Sequence, residues 1–220
     1  MSGKSLRDAF RDKETRWYVL TALSFVITIL FAVYNGFLGI YSHSIWNGSI
    51  CVYYLFLIAI KFIILASEKT TKHIDDIKIK SQRREKVFFV LSIIIIVMNL
   101  SLILPISLMV LNEKQVEYGL IAAIVFAVYA THKITMAIIN YTKSRRYENL
   151  AYKQIRTINI IDAIISVLTL QNALIMVNDG SVSGDMFTLS SITSFVGIVV
   201  IVVISVIPLV RFVKQKKSLK

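Results

Sequence analysis

One cysteine, Cys51, in 220 residues excludes an intramolecular disulfide and any cysteine-based zinc site. The three histidines, His43, His73 and His132, are too scattered for a histidine metal cluster. Acidic residues are scarce, 13 against 25 Lys and Arg, and only Asp162 falls inside an apolar run. No span therefore offers the paired carboxylates of acid–base or metal chemistry. The chain also lacks a Walker-type phosphate loop, a Gly-x-Ser-x-Gly elbow and a His-Glu-x-x-His helix. Familiar enzyme chemistry lacks its residues, and no catalytic residue, cofactor or resident metal is expected. Two prolines and eight glycines leave the apolar runs continuous. A cleavable signal peptide is not expected either, because the first run is too long and no small-residue cleavage site follows it.

What is abundant is apolar surface. Hydrophobic residues make up 56% of the chain, against about 45–50% in soluble domains, and the mean hydropathy is +0.69. Six runs stand out: Trp17–Ile40, Ile45–Ala66, Val87–Leu111, Tyr118–Tyr141, Ile158–Val177 and Ser191–Phe212. Each is long enough for a bilayer core, which takes about 20 helical residues. Inside lipid only a helix satisfies its backbone within one segment, and continuous runs are not the alternating strands of a barrel. The expected fold is all-α, a polytopic bundle of six transmembrane helices over residues 17–212. Residues 1–16 form a polar N-terminal segment and residues 213–220 a basic tail. In the N-terminal segment Leu6, Phe10 and Trp17 fall near helical spacing, which fits an interfacial helix or a charged tail equally well.

Positive charge sets the orientation. Five Lys and Arg precede the first run, seven lie in Ser67–Lys86, five in Thr142–Thr157 and five from Arg211 onward. The three other connections hold one, Lys114. Both termini are therefore expected in the cytoplasm, in a plasma-membrane protein whose net charge of +12 faces the anionic inner leaflet and not nucleic acid. Whether it forms a homo-oligomer stays open. The other connections are short: Tyr41–Ser44, Asn112–Glu117 and Asn178–Ser190 with its Asn-Asp-Gly turn signal. The Ser67–Lys86 segment is charged enough to carry helices 2 and 3 beyond the bilayer.

Ionisable residues inside a span cost roughly 2.5–3.5 kcal/mol on insertion scales and mark function by default. There are four: Lys61, His132, Lys133 and Asp162. Counting about 1.5 Å per residue puts Lys61, Lys133 and Asp162 at similar depth in the inner half. Asp162 is expected to pair with Lys133 or Lys61, with snorkelling of Lys61 to the headgroups as the alternative. Asn159, Asp162, Ser166, Thr169 and Asn172 share one face of the fifth run. Matching stripes are Thr21, Ser24, Thr28 and Asn35 in the first run, Asn47, Cys51, Tyr54 and Lys61 in the second, and Tyr129, His132, Lys133 and Asn140 in the fourth. Such stripes serve packing or line a path. Asn99, Ser101 and Pro105 in the third run, and Thr193, Gly197, Ser205 and Pro208 in the sixth, read as packing. The candidate transport or structural site is Asp162, Lys133, Lys61, Asn159, His132, Asn35, Ser166 and Tyr54.

The stretch FAVYNGFLGIYSHSIWNGS, residues 31–49, together with NIIDAIISVLTLQNALI, residues 159–175, resembles the membrane domain of cation diffusion facilitators. The chain is also similar to small six-helix membrane proteins of Gram-positive bacteria. The resemblance implies six helices, cytoplasmic termini and cation transport. It carries only Asp162 over as a ligand: position 158 is Ile and the second run holds no carboxylate, and the family's C-terminal domain is not expected in this chain. The function expected from the residues is a small ion or solute transporter using a buried Asp/Lys site. The alternative is an assembly or sensor protein whose basic loops bind lipid or a protein. A four-residue echo, Phe31-Ala-Val-Tyr34 and Phe126-Ala-Val-Tyr129, is a candidate trace of an inverted repeat of helices 1–3 and 4–6.

Overall fold

In the computed structural model, residues 13–72, 74, 76–104, 107, 120–144, 150–177 and 184–218 are described. Residues 1–12 of the N-terminal segment with its expected interfacial helix, Pro105, and the Asn112–Glu117 connection lie outside them, as does the Asn-Asp-Gly turn. Six helices follow in order: α1 (Lys13–Tyr41), α2 (Ile45–Lys72), α3 (Ile77–Ser101), α4 (Leu120–Ser144), α5 (Leu150–Val177) and α6 (Gly184–Ser218).

The helices overrun the apolar stretches at their charged ends. The second continues past Ala66 to Lys72, the fifth begins at Leu150 instead of Ile158, and the sixth runs to Ser218 through Pro208. Lys, Arg, Glu and Gln are good helix formers, so a polar boundary marks where lipid ends and not where a helix does. Among the described residues, five helices contain segments long and apolar enough to cross a membrane: Leu23–Tyr41, Ile45–Thr71, Leu120–Thr142, Leu150–Ile175 and Ser191–Lys217. The third helix begins with charged turns, and the described residues include only the first part of its apolar run, Val87–Leu111.

Burial ranks the helices. In α5, 61% of the apolar window is buried inside the bundle, against 17% in α6. The fifth helix packs against α4 and α6 and touches α2 and α3, which makes it the central element. Large apolar residues such as Leu30, Val33, Phe37, Val128 and Val199 face outward, as the lipid side of a membrane helix requires.

The α1–α2 hairpin turns through Ser42–Ser44, with His43 at φ 48°. Ser44 caps α2 by accepting the Asn47 amide at 3.3 Å. Glycines let the two helices close up: a Cβ on Gly39 would meet the Gly48 amide nitrogen at 2.9 Å. Asp76 caps α3 by accepting from the Lys78 and Ile79 amides at 2.8 and 3.3 Å. Beyond the apolar layer, Arg84 pairs with Glu68 and Lys216 with Glu85 at 3.1 Å, tying α2, α3 and α6 at their charged ends.

The Phe-Ala-Val-Tyr echo acquires a structural meaning. Phe31 stacks on Tyr129 at a ring separation of 3.5 Å, and Tyr34 meets Phe126 edge-on at 5.8 Å. The first residue of each motif thus touches the last residue of the other, which is the reciprocity of a two-fold contact. In the wider packing α1 lies chiefly on α2 and α4 on α5, α2 contacts α3 and α5 contacts α6, but α5 also contacts α3, a contact with no strong α2–α6 counterpart among the described residues.

A second polar contact joins α2, α3 and α6. Tyr53 donates to Asn99 Oδ1 at 3.0 Å, and Asn99 Nδ2 donates to Ser205 Oγ at 2.6 Å. Asn99 and Ser205 therefore do more than pack: they form a buried cross-link. Asn99→Leu should cost about 1–2 kcal/mol by leaving Tyr53 and Ser205 without that partner. A melting experiment in detergent reads this as a lower Tm, and an unchanged Tm would show that the cross-link contributes nothing.

Candidate functional site

Asp162 sits in the middle of α5 with no solvent exposure. Its Oδ2 accepts from Lys133 Nζ at 2.7 Å and from Lys61 Nζ at 3.2 Å. Its Oδ1 accepts from the Tyr129 hydroxyl at 3.4 Å. The carboxylate is thus held by both lysines, not by one of them. Lys61 is 1% exposed and Lys133 2%, so neither ammonium group reaches out of the bundle, and the snorkelling alternative for Lys61 does not hold. Lys133 also donates to Thr28 Oγ1 at 2.7 Å and lies 5.0 Å from the Tyr129 ring centre. The Thr28 hydroxyl donates its own hydrogen bond to the Ser24 carbonyl at 2.7 Å, which leaves its lone pairs for Lys133.

Helix geometry explains the meeting. Tyr129 and Lys133 are four residues apart on α4, so they share a face and both reach Asp162 across the α4–α5 contact. Two cations against one anion leave a formal charge of +1 in a site closed to solvent. An ionic cluster with a surplus charge is not the cheapest way to hold helices together, since one lysine would neutralise the carboxylate.

The site lies between two packed layers. On the side of the α1–α2 turn, Phe31, Tyr54 and Tyr129 form an aromatic layer, with Phe31–Tyr54 and Tyr54–Tyr129 edge-on at 5.2 and 5.9 Å. The buried Tyr54 hydroxyl lies within reach of Asp162 and Tyr129 yet completes no well-directed hydrogen bond. On the other side, Ile64, three residues past Lys61, and Ile158 and Ile155, four and seven residues before Asp162, are buried in the core.

The remaining candidates are near but not joined to the carboxylate. Asn35 donates to the Phe31 carbonyl at 2.9 Å and Ser166 to the Ala163 carbonyl at 2.7 Å, each inside its own helix. Asn159 is buried on the same face of α5 without a bond to Asp162. His132 is half-buried beside Lys133, and its Nε2 finds no partner among the described residues. Thr28 and Tyr129 are members of the site that the candidate residues left out. Both belonged to the polar stripes of their helices, which was the signal available. Among the described residues no three His, Cys, Asp or Glu side chains converge as a metal would need.

Fold and site together define a class: a membrane-type helical bundle with a buried Lys–Asp–Lys centre. The chain matches no protein-family model, no curated protein and no solved structure.

Proposed function

We propose that the protein is a small ion or solute transporter of the plasma membrane, with six spans, both termini cytoplasmic and Asp162 as its exchange site. One observation carries the reading. The closed centre draws its groups from both halves of the chain: Thr28 and Lys61 from α1 and α2, and Tyr129, Lys133 and Asp162 from α4 and α5. Transporters built from inverted repeats place their sites at the junction of the repeats, and the reciprocal Phe31–Tyr129 and Tyr34–Phe126 contacts mark such a junction. The sixth span is the apolar run from Val87, of which α3 supplies the first part. The orientation follows from the Lys and Arg at the helix ends.

The charge of the centre selects among cargoes. A carboxylate already neutralised by two lysines is a poor divalent-cation ligand. Separation of α4 from α2 would release it to take a proton, or free a lysine for an anion. Proton or anion coupling therefore fits these residues better than the divalent-metal transport implied by the resemblance to cation diffusion facilitators. The test is dissipation of an imposed proton or chloride gradient by the purified protein in vesicles. The wild type should dissipate one of them and Asp162→Asn neither. Equal rates for the two proteins remove Asp162 from the pathway.

The second reading, an assembly or sensor protein, is favoured by the density of the core around Asp162. In that case the triad fixes helix register, and the basic helix ends recruit anionic lipid or a partner protein.

A further inference from the structure

We propose that the cavity between the basic ends of α5 and α6 is a binding site for one anionic glycerophospholipid. This goes beyond the transport reading and does not depend on it. The cavity holds about 450 Å³, within the roughly 300–1,000 Å³ of ligand sites. Lys153 and Arg156 of α5 and Arg211 of α6 line it, and among the described residues no acidic side chain does. Its other wall is apolar, with Ile160, Ile207 and Phe212. Cations at one end and hydrocarbon at the other are the complement of a phosphate headgroup with the start of its acyl chain.

Three features make this a built site and not a diffuse basic surface. The Arg156 guanidinium stacks over the Tyr141 ring at 3.9 Å, which holds its donor fork in one plane, the geometry that suits a phosphate. Pro208 lines the cavity and has no N–H to give to the carbonyl of Ile204, another lining residue, so α6 is locally open at this level. The cavity straddles the boundary where the apolar stretches of α5 and α6 give way to basic residues, the depth at which lipid phosphates lie. A cavity of about 390 Å³ toward the other end of the bundle, between α2 and α3, has no charged lining residue among the described residues. A small third cavity, beside Glu68 and Arg84, carries charges of both signs, so among these three cavities the α5–α6 one alone is lined by cations without a described carboxylate.

The test is native mass spectrometry of the full chain in detergent, with phosphatidylglycerol or phosphatidylcholine added in equal amounts. Phosphatidylglycerol should be retained about tenfold or more over phosphatidylcholine. The triple variant Lys153→Gln/Arg156→Gln/Arg211→Gln should lose that preference. A control triple on exposed residues of α3, Lys78→Gln/Arg83→Gln/Lys86→Gln, should keep it. Equal loss in both triples would reduce the effect to general surface charge and overturn the site. Full displacement by millimolar inorganic phosphate would make the ligand a soluble anion and overturn the lipid assignment. If the cavity triple does not fold, Ile207→Trp fills the same space at unchanged charge. It should expel the lipid, and undiminished retention in that variant overturns the proposal.

Discussion

Asp162→Asn should lower the stability of the bundle by about 3 kcal/mol, because it leaves two buried lysines without their anion. Its full effect appears only with the charges around it. The variant in which all three charges are gone, Asp162→Asn with Lys61→Met and Lys133→Met, should recover most of that loss. Buried ion clusters replaced whole by residues of similar shape are often neutral or more stable, because their desolvation penalty disappears with them. The measurement is thermal or denaturant unfolding in one detergent for all variants. A triple variant no more stable than Asp162→Asn would show that the triad is a net stabiliser, and would move the balance to the assembly reading. This separation of stability from charge lets the transport reading be tested on a folded protein.

The two lysines should behave unequally. Lys133 is closer to the carboxylate, 2.7 Å against 3.2 Å, and is also held by Thr28. Among the described residues Lys61 has only Asp162 as its side-chain hydrogen-bond acceptor. Since the centre carries one cation in excess, Lys61→Met removes the surplus and should be close to neutral. Lys133→Met removes the better-bonded partner and strands the Thr28 acceptor, so it should cost about 2 kcal/mol more. Unfolding of the two single variants side by side decides this. The reverse order would mean that Lys61, not Lys133, is the counter-ion of Asp162. The charge swap Asp162→Lys with Lys133→Asp should restore part of what either change loses alone, since it places opposite charges at the two positions again.

How much of this was legible in the sequence depends on the residue. Asp162 stood out because it is the only carboxylate in an apolar run, and residue counting alone put Lys61 and Lys133 at its depth. That both lysines bind it was not legible, since depth says nothing of which helix faces which. Thr28 could not be separated from the other hydroxyls. Most Ser and Thr in these helices, including Ser92, Ser166 and Thr169, bond only to their own backbone one turn back. Thr28 does the same and accepts from Lys133 as well, and only the crossing of α1 and α4 reveals it. Asn35 and Ser166 looked like site residues for the same reason and proved to be turned to their own helices. The Phe-Ala-Val-Tyr echo was too short to weigh until its members were found in contact with one another. Asn99 and Ser205 lie on separate helices 106 positions apart, and nothing in either local pattern announces their bond.

The chemistry of the centre narrows what a transport cycle would require. The aromatic layer of Phe31, Tyr54 and Tyr129 closes the side of the α1–α2 turn, and the isoleucine layer closes the other. Both layers include residues from each half of the chain, so movement of one half against the other would loosen both. The hydroxyls of Tyr54 and Tyr129 stand beside the carboxylate as groups able to relay a proton when one layer parts.

The most direct measurement is proton flux into vesicles containing the wild type or the triple variant Asp162→Asn/Lys61→Met/Lys133→Met, at equal incorporation and with unfolding measured on the same preparations. The account predicts flux above that of empty vesicles for the wild type, and none for a triple variant that remains folded. A folded triple variant as active as the wild type, or a wild type no different from empty vesicles for protons and chloride alike, would contradict it.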